Sequence, residues 1–423
     1  MDKETKVRPY FDNISLKDFI ESDDPLLESR IANLNRFTSD LFANGHNLYR
    51  REILSAAADT VIINDPLTNL PKEMIMFGSN NYLGLANNSY IAEKVKEAVD
   101  IYGIGIGGPP LLNGNSHLHV VLENRISKFK DTQATMLFSC GFNAIGGWIN
   151  ALVREDDIFF YDEYNHSSLH YALLASRCKK LPFRHNNMVD LRRKIEMYNG
   201  KGNERWLVVE GVYSMDGDLA KLNEISLICQ ANNIRLVIDD AHGTGVFGRR
   251  GSGVAEHLGV HNVFLHLGTF SKSFANTGGF ISGNAEVINY LRYLSPHYMF
   301  STSMSPVIIS CLLAALDIIE SQPELRTKLM QNVQYLLHSL NKNGIEAFSE
   351  SPIVPIIVKP PHNLREIALK VHQAGIFLNP VEYPAVAADK QRLRISMMAT
   401  HSFEQIDQLV EVLVSVFKIE GVI

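Results

Sequence analysis

Short apolar runs recur along the chain between about residues 70 and 300, each ending in small or polar residues. The pattern predicts strands at 134–138, 207–209, 234–238, 263–266 and 279–282. Leu236, Val237 and Ile238 form one such run, and Ile158, Phe159 and Phe160 another. Helical stretches lie between them. Ile91, Val95, Val99 and Tyr102 follow an amphipathic helical spacing, and an apolar helix is expected around Ile145 to Leu152. Strands alternating with helices imply βαβ units and a mainly parallel sheet, an α/β fold. The period changes after Ser305. Helices are expected near 306–320 and 324–343, strands at 353–358 and 392–397, and a helix at 364–373 between those strands. A last helix begins near Ser402, which forms a capping-box pattern with Gln405. The expected division is an N-terminal helical arm (1–60), a large domain (61–305) and a small C-terminal α+β domain (306–423). No internal repeat or low-complexity tract interrupts it.

Composition narrows the function. With 423 residues, 46% hydrophobic and 20% charged, the chain has ordinary globular proportions. A formal net charge of -6 gives no electrostatic case for nucleic acid or for an anionic membrane. The longest apolar run, near Val307 to Ile319, is broken by Ser310 and Asp317 and is too short to span a bilayer. The start, Met1-Asp2-Lys3-Glu4, carries no apolar signal region. Cys140, Cys178, Cys229 and Cys311 lack metal-ligand spacing, so no metal site is expected, and they suit reduced thiols in a cytoplasmic protein.

Five segments carry candidate chemistry. In Gly268-Thr269-Phe270-Ser271-Lys272-Ser273-Phe274-Ala275 a lone lysine stands among hydroxyls and two phenylalanines. Burial favours the neutral amine, which can condense with an aldehyde to form a Schiff base. Thr269 offers a hydroxyl to a phosphate. A surface lysine after a polar turn is the plainer reading of that segment alone. In Asp239-Asp240-Ala241-His242 the polar residues follow a strand at the end where open α/β sheets bind ligands. Asp239 could hold a pyridine nitrogen protonated and His242 could bond a phenolic oxygen; a helix-capping turn fits this segment equally well. His166, in Tyr161 to Ser168, could stack on a flat ring or be an ordinary loop histidine. Ser214, in Glu210 to Asp218, is a hydroxyl donor in a glycine-punctuated loop that could also be a plain turn. In Ser139-Cys140-Gly141-Phe142-Asn143 a strand turns into a helix whose first amides make a phosphate site.

Taken together, these segments resemble the α-oxoamine synthases, pyridoxal-phosphate acyltransferases of the aspartate-aminotransferase-like group (PLP-dependent transferase fold type I). The likeness runs from about Asn47 to Phe417. It includes Ser79 to Leu85, Gly211 to Leu222, Asp239 to Gly253, Phe300 to Pro306 and Arg392 to Ser396, in the family's order. The resemblance implies pyridoxal 5'-phosphate as cofactor and a decarboxylative condensation of an amino acid (serine, glycine or alanine) with an acyl thioester. Lys272 would be the Schiff-base lysine, Asp239 the pyridinium partner, His242 the partner of the phenolic oxygen and His166 the stacking ring. The amides of Gly141 and Phe142, with Thr269, would hold the phosphate. Thr302 would reach a phosphate in the neighbouring subunit of a homodimer. Arg394 would clamp the amino-acid carboxylate, assisted by Asn80 and Ser214. Arg392 and Arg394 share one strand face, so spacing does not choose between them.

Two departures stand out. Pro109-Pro110 interrupts the segment Gly103 to Gly114, and Ala275 stands where a glycine commonly follows the lysine motif. Both bear on the acyl channel. The glycine segment also resembles a dinucleotide fingerprint, but it follows a helix instead of a strand, which argues against nucleotide binding. Thr269 to Phe274 looks most like serine palmitoyltransferase, Ser79 to Leu85 equally like 2-amino-3-ketobutyrate ligase, and the double proline like synthases fed by an acyl-carrier protein. A long or medium acyl donor is expected. The competing readings are an aminotransferase on the same fold and a catalytically silent partner subunit, against which Lys272 argues.

Overall fold

The computed structural model describes residues 14–423. Every strand expected between 134 and 282 is present, as Ala134–Phe138, Arg205–Glu210, Arg235–Asp239, Leu265–Thr269 and Gly279–Gly283. Two further strands, Ile158–Asp162 and Lys179–Phe183, complete a seven-stranded sheet. Its order is Ala134–Phe138, Gly279–Gly283, Leu265–Thr269, Arg235–Asp239, Arg205–Glu210, Ile158–Asp162, Lys179–Phe183. All neighbouring pairs are parallel except those made by Gly279–Gly283, which runs antiparallel to both its partners. The central strands are buried along their length except at Arg235, which opens one of them. Helices on both faces explain why they read as continuous apolar runs. Lys179–Phe183 is the exception, an edge strand with lysines and a proline, the composition an edge tolerates.

The helix Gly141–Leu152 buries Ile145, Trp148 and Ile149 at helical spacing. Trp148 stacks on Phe159, ring centroids 5.8 Å apart, and locks the helix over the sheet. The amphipathic helix is Ser89–Tyr102. Ile91 and Ala98 are its buried residues, while Val99 and Tyr102 turn outward.

The C-terminal elements also match the expected spans: helices Pro306–Ser321, Glu324–Lys342 and Leu364–Gln373, and strands Ile353–Ile357 and Arg392–Ser396. The last helix, Phe403–Ile419, opens on the Ser402–Gln405 capping box. Strand Arg392–Ser396 sits between Ile353–Ile357 and Asn379–Val381, antiparallel to each.

The N-terminal region is less simple than a helical arm. Residues 1–13 of that expectation lie outside the described residues. Helices Leu16–Ile20 and Leu27–Ala43 are followed by strands Glu52–Ile53, Thr60–Asn64 and Pro71–Met76. These three pair in sequence, and Ile376–Phe377 then adds parallel to Ile75–Met76. The sheet crosses the boundary expected at 60 and ties residues 60–76 to the C-terminal segment. An apolar pattern announces a strand but not the sheet it joins.

Candidate active site

The parallel strands carry polar residues at their C-terminal ends. Glu210 and Asp239 are in register on adjacent strands, and Thr269 ends the next strand. A cavity of about 520 Å³ opens over these ends, where a doubly wound sheet places its ligand. It is lined by Asn80, Gly141, Phe142, His166, Ser214, Asp239, His242, Thr269, Lys272 and Arg394. The structure thus gathers every candidate site residue except Thr302 into one space. Thr302 is exposed and borders a separate cavity of about 20 Å³, beside Pro110, His119 and Ser139.

Lys272 follows the strand Leu265–Thr269 through a tight turn. Its ammonium makes no hydrogen bond or ion pair among the described residues, and burial lowers its pKa, against the opposing charges of Asp239 and Glu210. Asp239 is buried and accepts one hydrogen bond, from the Ala241 amide at 3.1 Å. Burial raises its pKa, while the positive charges of Lys272 and His166 pull the other way. Burial, with the neighbouring charge of Asp239, pushes the Glu210 carboxyl well above the usual carboxylate range. Its Oε2 accepts from the Ser214 amide at 3.2 Å, and Oε1 has no partner among the described residues.

His166 caps the helix Ser167–Ala175. Its Nδ1 bonds the Ser168 amide (3.2 Å) and lies 2.8 Å from the Ser168 hydroxyl, which fixes the ring at the cavity wall. His242 is buried, and desolvation with the nearby positive charges of Lys272 and Arg394 holds its pKa well below the ordinary value. It is therefore a neutral imidazole.

Arg394 sits in the middle strand of the small sheet. Its Nε donates to Ser214 O (2.7 Å), and Nη1 donates to Asn80 Oδ1 (3.1 Å) and Ser396 Oγ (2.9 Å). Its remaining nitrogen, Nη2, has no partner among the described residues. Arg392 lies on the same face, two residues earlier, but is spent elsewhere: it donates to Lys390 O, Met215 O and Asp216 Oδ1 and does not line the cavity.

The helix Gly141–Leu152 has no side-chain cap, and the amides of Gly141, Phe142 and Asn143 have no partner among the described residues. Thr269 and Ser271 stand beside them, their hydroxyls 2.9 Å apart. A Cβ at Gly141 would come within 3.1 Å of Thr269 Cβ, so glycine is what lets the hydroxyl approach the helix start. The Thr269 hydroxyl also donates to Gly278 O at 3.0 Å. A ligand with a phosphate, an aldehyde and a basic aromatic nitrogen fits this set: free helix-start amides beside two hydroxyls, an unpaired amine, and a buried carboxylate with no ion-pair partner among the described residues.

Comparison with known proteins agrees. A profile of the aminotransferase class I and II family matches residues 72–413. The chain belongs to that family. It is 37% identical over 394 residues to a serine palmitoyltransferase of Sphingobacterium spiritivorum, covering 93% of this chain and 97% of the relative. It is 36% identical over 354 residues to an 8-amino-7-oxononanoate synthase of Lysinibacillus sphaericus, covering 83% and 91%. A serine palmitoyltransferase of S. paucimobilis, solved with a bound PLP–myriocin aldimine, superposes with a TM-score of 0.88 at 26% identity, covering 94% of this chain and 100% of that one. The resemblance to the α-oxoamine synthases and the aspartate-aminotransferase-like fold are both borne out.

Among the other residues lining the cavity, Glu210, Ser271 and Asn379 carry polar groups that were not singled out from the sequence. Glu210 ends an apolar run as Asp239 does, and that same signal would have found it. Ser271 is exposed beside Thr269. Asn379 reaches the cavity from the small sheet, and no local pattern marks it.

Proposed function

We propose that this protein is a pyridoxal-phosphate-dependent C-acyltransferase that condenses a small amino acid with an acyl thioester, releasing carbon dioxide and giving an α-amino ketone. Serine with a long or medium acyl group is the favoured pair. The full-length likeness to a serine palmitoyltransferase supports it, and the 8-amino-7-oxononanoate synthase relative keeps alanine in view. The donor is a coenzyme A or acyl-carrier-protein thioester. The observation that carries the reading is the unpaired Lys272 amine in one cavity with Asp239 and Arg394.

The Gly141 and Phe142 amides with Thr269 and Ser271 would hold the cofactor's phosphate, Asp239 would pair with its ring nitrogen, and His166 would lie against its ring. Bound there, pyridoxal phosphate supplies an electron sink for a carbanion at the amino acid's Cα. Arg394, anchored through Nε and Nη1, offers Nη2 to the amino-acid carboxylate and fixes its orientation. The Lys272 amine, whose pKa burial lowers, is the group placed to accept the Cα proton. His242 is placed to hydrogen-bond an oxygen that gains negative charge.

Borohydride reduction followed by peptide mapping tests the cofactor assignment; label on a lysine other than Lys272 overturns it. A panel of amino acids scored for Cα-proton exchange, then for thiol release from acyl thioesters, identifies the pair. Amino transfer to a keto acid without thiol release favours the aminotransferase reading, and a colourless protein the silent-subunit reading.

A further inference from the structure

Tyr82 is fully buried, and its hydroxyl oxygen lies 2.6 Å from His242 Nδ1. A bond that short between two buried groups has a definite proton arrangement, and the surroundings decide which. His242 is neutral, so its ring carries one donor and one acceptor nitrogen. Tyr82 has one hydrogen to give and two candidate acceptors: His242 Nδ1, and Asn80 Oδ1 at 3.3 Å. Asn80 Oδ1 already accepts from the Arg394 guanidinium at 3.1 Å and from Ser396 Oγ at 3.3 Å. The Arg394 guanidinium, a pure donor, also interacts with the Tyr82 oxygen and can only take up a lone pair there, which leaves the phenol's own hydrogen for another acceptor. Burial pushes the phenol's pKa up to about 12, so the hydrogen stays in place at any working pH.

We propose that Tyr82 is a positioning residue that donates to His242 Nδ1, fixing the Nε2–H tautomer so that His242 presents a donor to the cavity. The chemical consequence is selective. A donor at Nε2 stabilises an anionic or carbonyl oxygen, whereas an acceptor there would repel it. The same hydroxyl adjoins Asn80, which holds Arg394, so one phenol touches the supports of both the oxygen-binding and the carboxylate-binding side chains. This inference rests on the proposed acyltransferase reading for its functional meaning, but the tautomer itself does not depend on it.

The test is a nitrogen-15 spectrum of histidine-labelled full-length protein without added cofactor, with the His242 signals assigned by a His242→Gln variant. The expected result is an unprotonated Nδ1 and a protonated Nε2. A protonated Nδ1 overturns the proposal, whatever the protein catalyses. In Tyr82→Phe the Nδ1 partner is lost, so mixed tautomers are expected, together with a drop of about tenfold in turnover and little change in KM for the amino acid. Ser396→Ala, which removes another donor from Asn80 and leaves His242 alone, should leave the His242 spectrum unchanged. A Tyr82→Phe spectrum identical to wild type overturns the proposal. Failure to take up pyridoxal phosphate would instead defeat the functional reading and leave the tautomer result standing.

Discussion

Asp239 and Arg394 make opposite demands on the same cavity, and each can be tested by a change of one group. Asp239→Asn keeps the shape and the phosphate contacts but removes the negative charge. Cofactor should still be retained, while Cα-proton exchange falls by at least ~100-fold, judged from what one electrostatic contact contributes to catalysis; exchange at the wild-type rate would remove Asp239 from the role of ring partner. Arg394→Lys loses a planar fork that an ammonium cannot reproduce. Amino-acid binding should weaken by about 10- to 150-fold, the worth of a charged hydrogen bond of roughly 1.5–3 kcal/mol. Arg392→Lys should leave that affinity near wild type, because its guanidinium is committed to Asp216 and two backbone carbonyls. Titration of each variant with amino acid decides between the arginines. The gathering of these side chains was legible in the sequence because strand ends in a parallel sheet converge. The choice between Arg392 and Arg394 was not, since strand alternation places both on one face and only their distant partners separate them. Tyr82 was hidden for the same reason: its partner is 160 residues away.

At the level of elements, the loops that frame the cavity are tied together by His185. It lies 3.0 Å from Asp162 and 2.9 Å from Asp218, stacks on Tyr164 and meets Tyr213 edge-on. Asp162 ends the strand that leads to His166, and Asp218 closes the loop that carries Ser214. Burial alone would lower the imidazole's pKa, but hydrogen bonds and charge from both aspartates outweigh it and raise it to about 9. A folded pKa above the ordinary 6.5 means that the stabilisation is complete below about pH 6.5, declines between there and 9, and is lost above. The full shift corresponds to about 3–4 kcal/mol, and solvent screening of the partly exposed ring leaves less than that. Chemical denaturation of wild type and His185→Gln should show a stability gap at pH 6 that closes by pH 10; a gap independent of pH would mean the imidazole is not charged in the fold. The turn after Lys272 offers a second check. Ala275 has φ +54° where glycine is commonly found in the family, a conformation costly for a residue with a Cβ. Ala275→Gly should therefore be neutral or stabilising by up to ~1 kcal/mol, and Ala275→Val destabilising by more than ~1 kcal/mol, both read from the denaturation midpoint. Most elements were readable from their apolar spacing. Lys179–Phe183 was not, because an edge strand with two lysines and a proline lacks the signal of a buried one.

For the whole molecule, Thr302 is the residue that does not fit a single chain. It does not line the 520 Å³ cavity, and large apolar side chains stand exposed in its own loop and in the 103–114 segment: Phe300 at 82%, and Leu112 and Ile104 at 81% and 80%. The 103–114 segment is held to this loop by the Ser303 amide donating to Gly108 O. A second copy of the chain, as the family resemblance implies, would cover this surface and bring Thr302 to a neighbouring phosphate. Mixing Lys272→Ala with Thr302→Ala protein should yield mixed dimers with one intact site, recovering roughly a quarter of wild-type activity after random exchange. Proven exchange without recovery would place Thr302 outside the partner's site. What no local pattern could reveal is how the chain's two ends meet. Ile75 and Met76 wait for Ile376 and Phe377, whose positions follow theirs by about 300 residues, before their sheet is complete. During synthesis at ~5–20 residues per second, that edge stays open for about 15–60 s after it leaves the ribosome. A nascent chain stalled short of residue 376 thus carries an unpaired strand edge, the kind of surface that recruits chaperones or other unfinished chains.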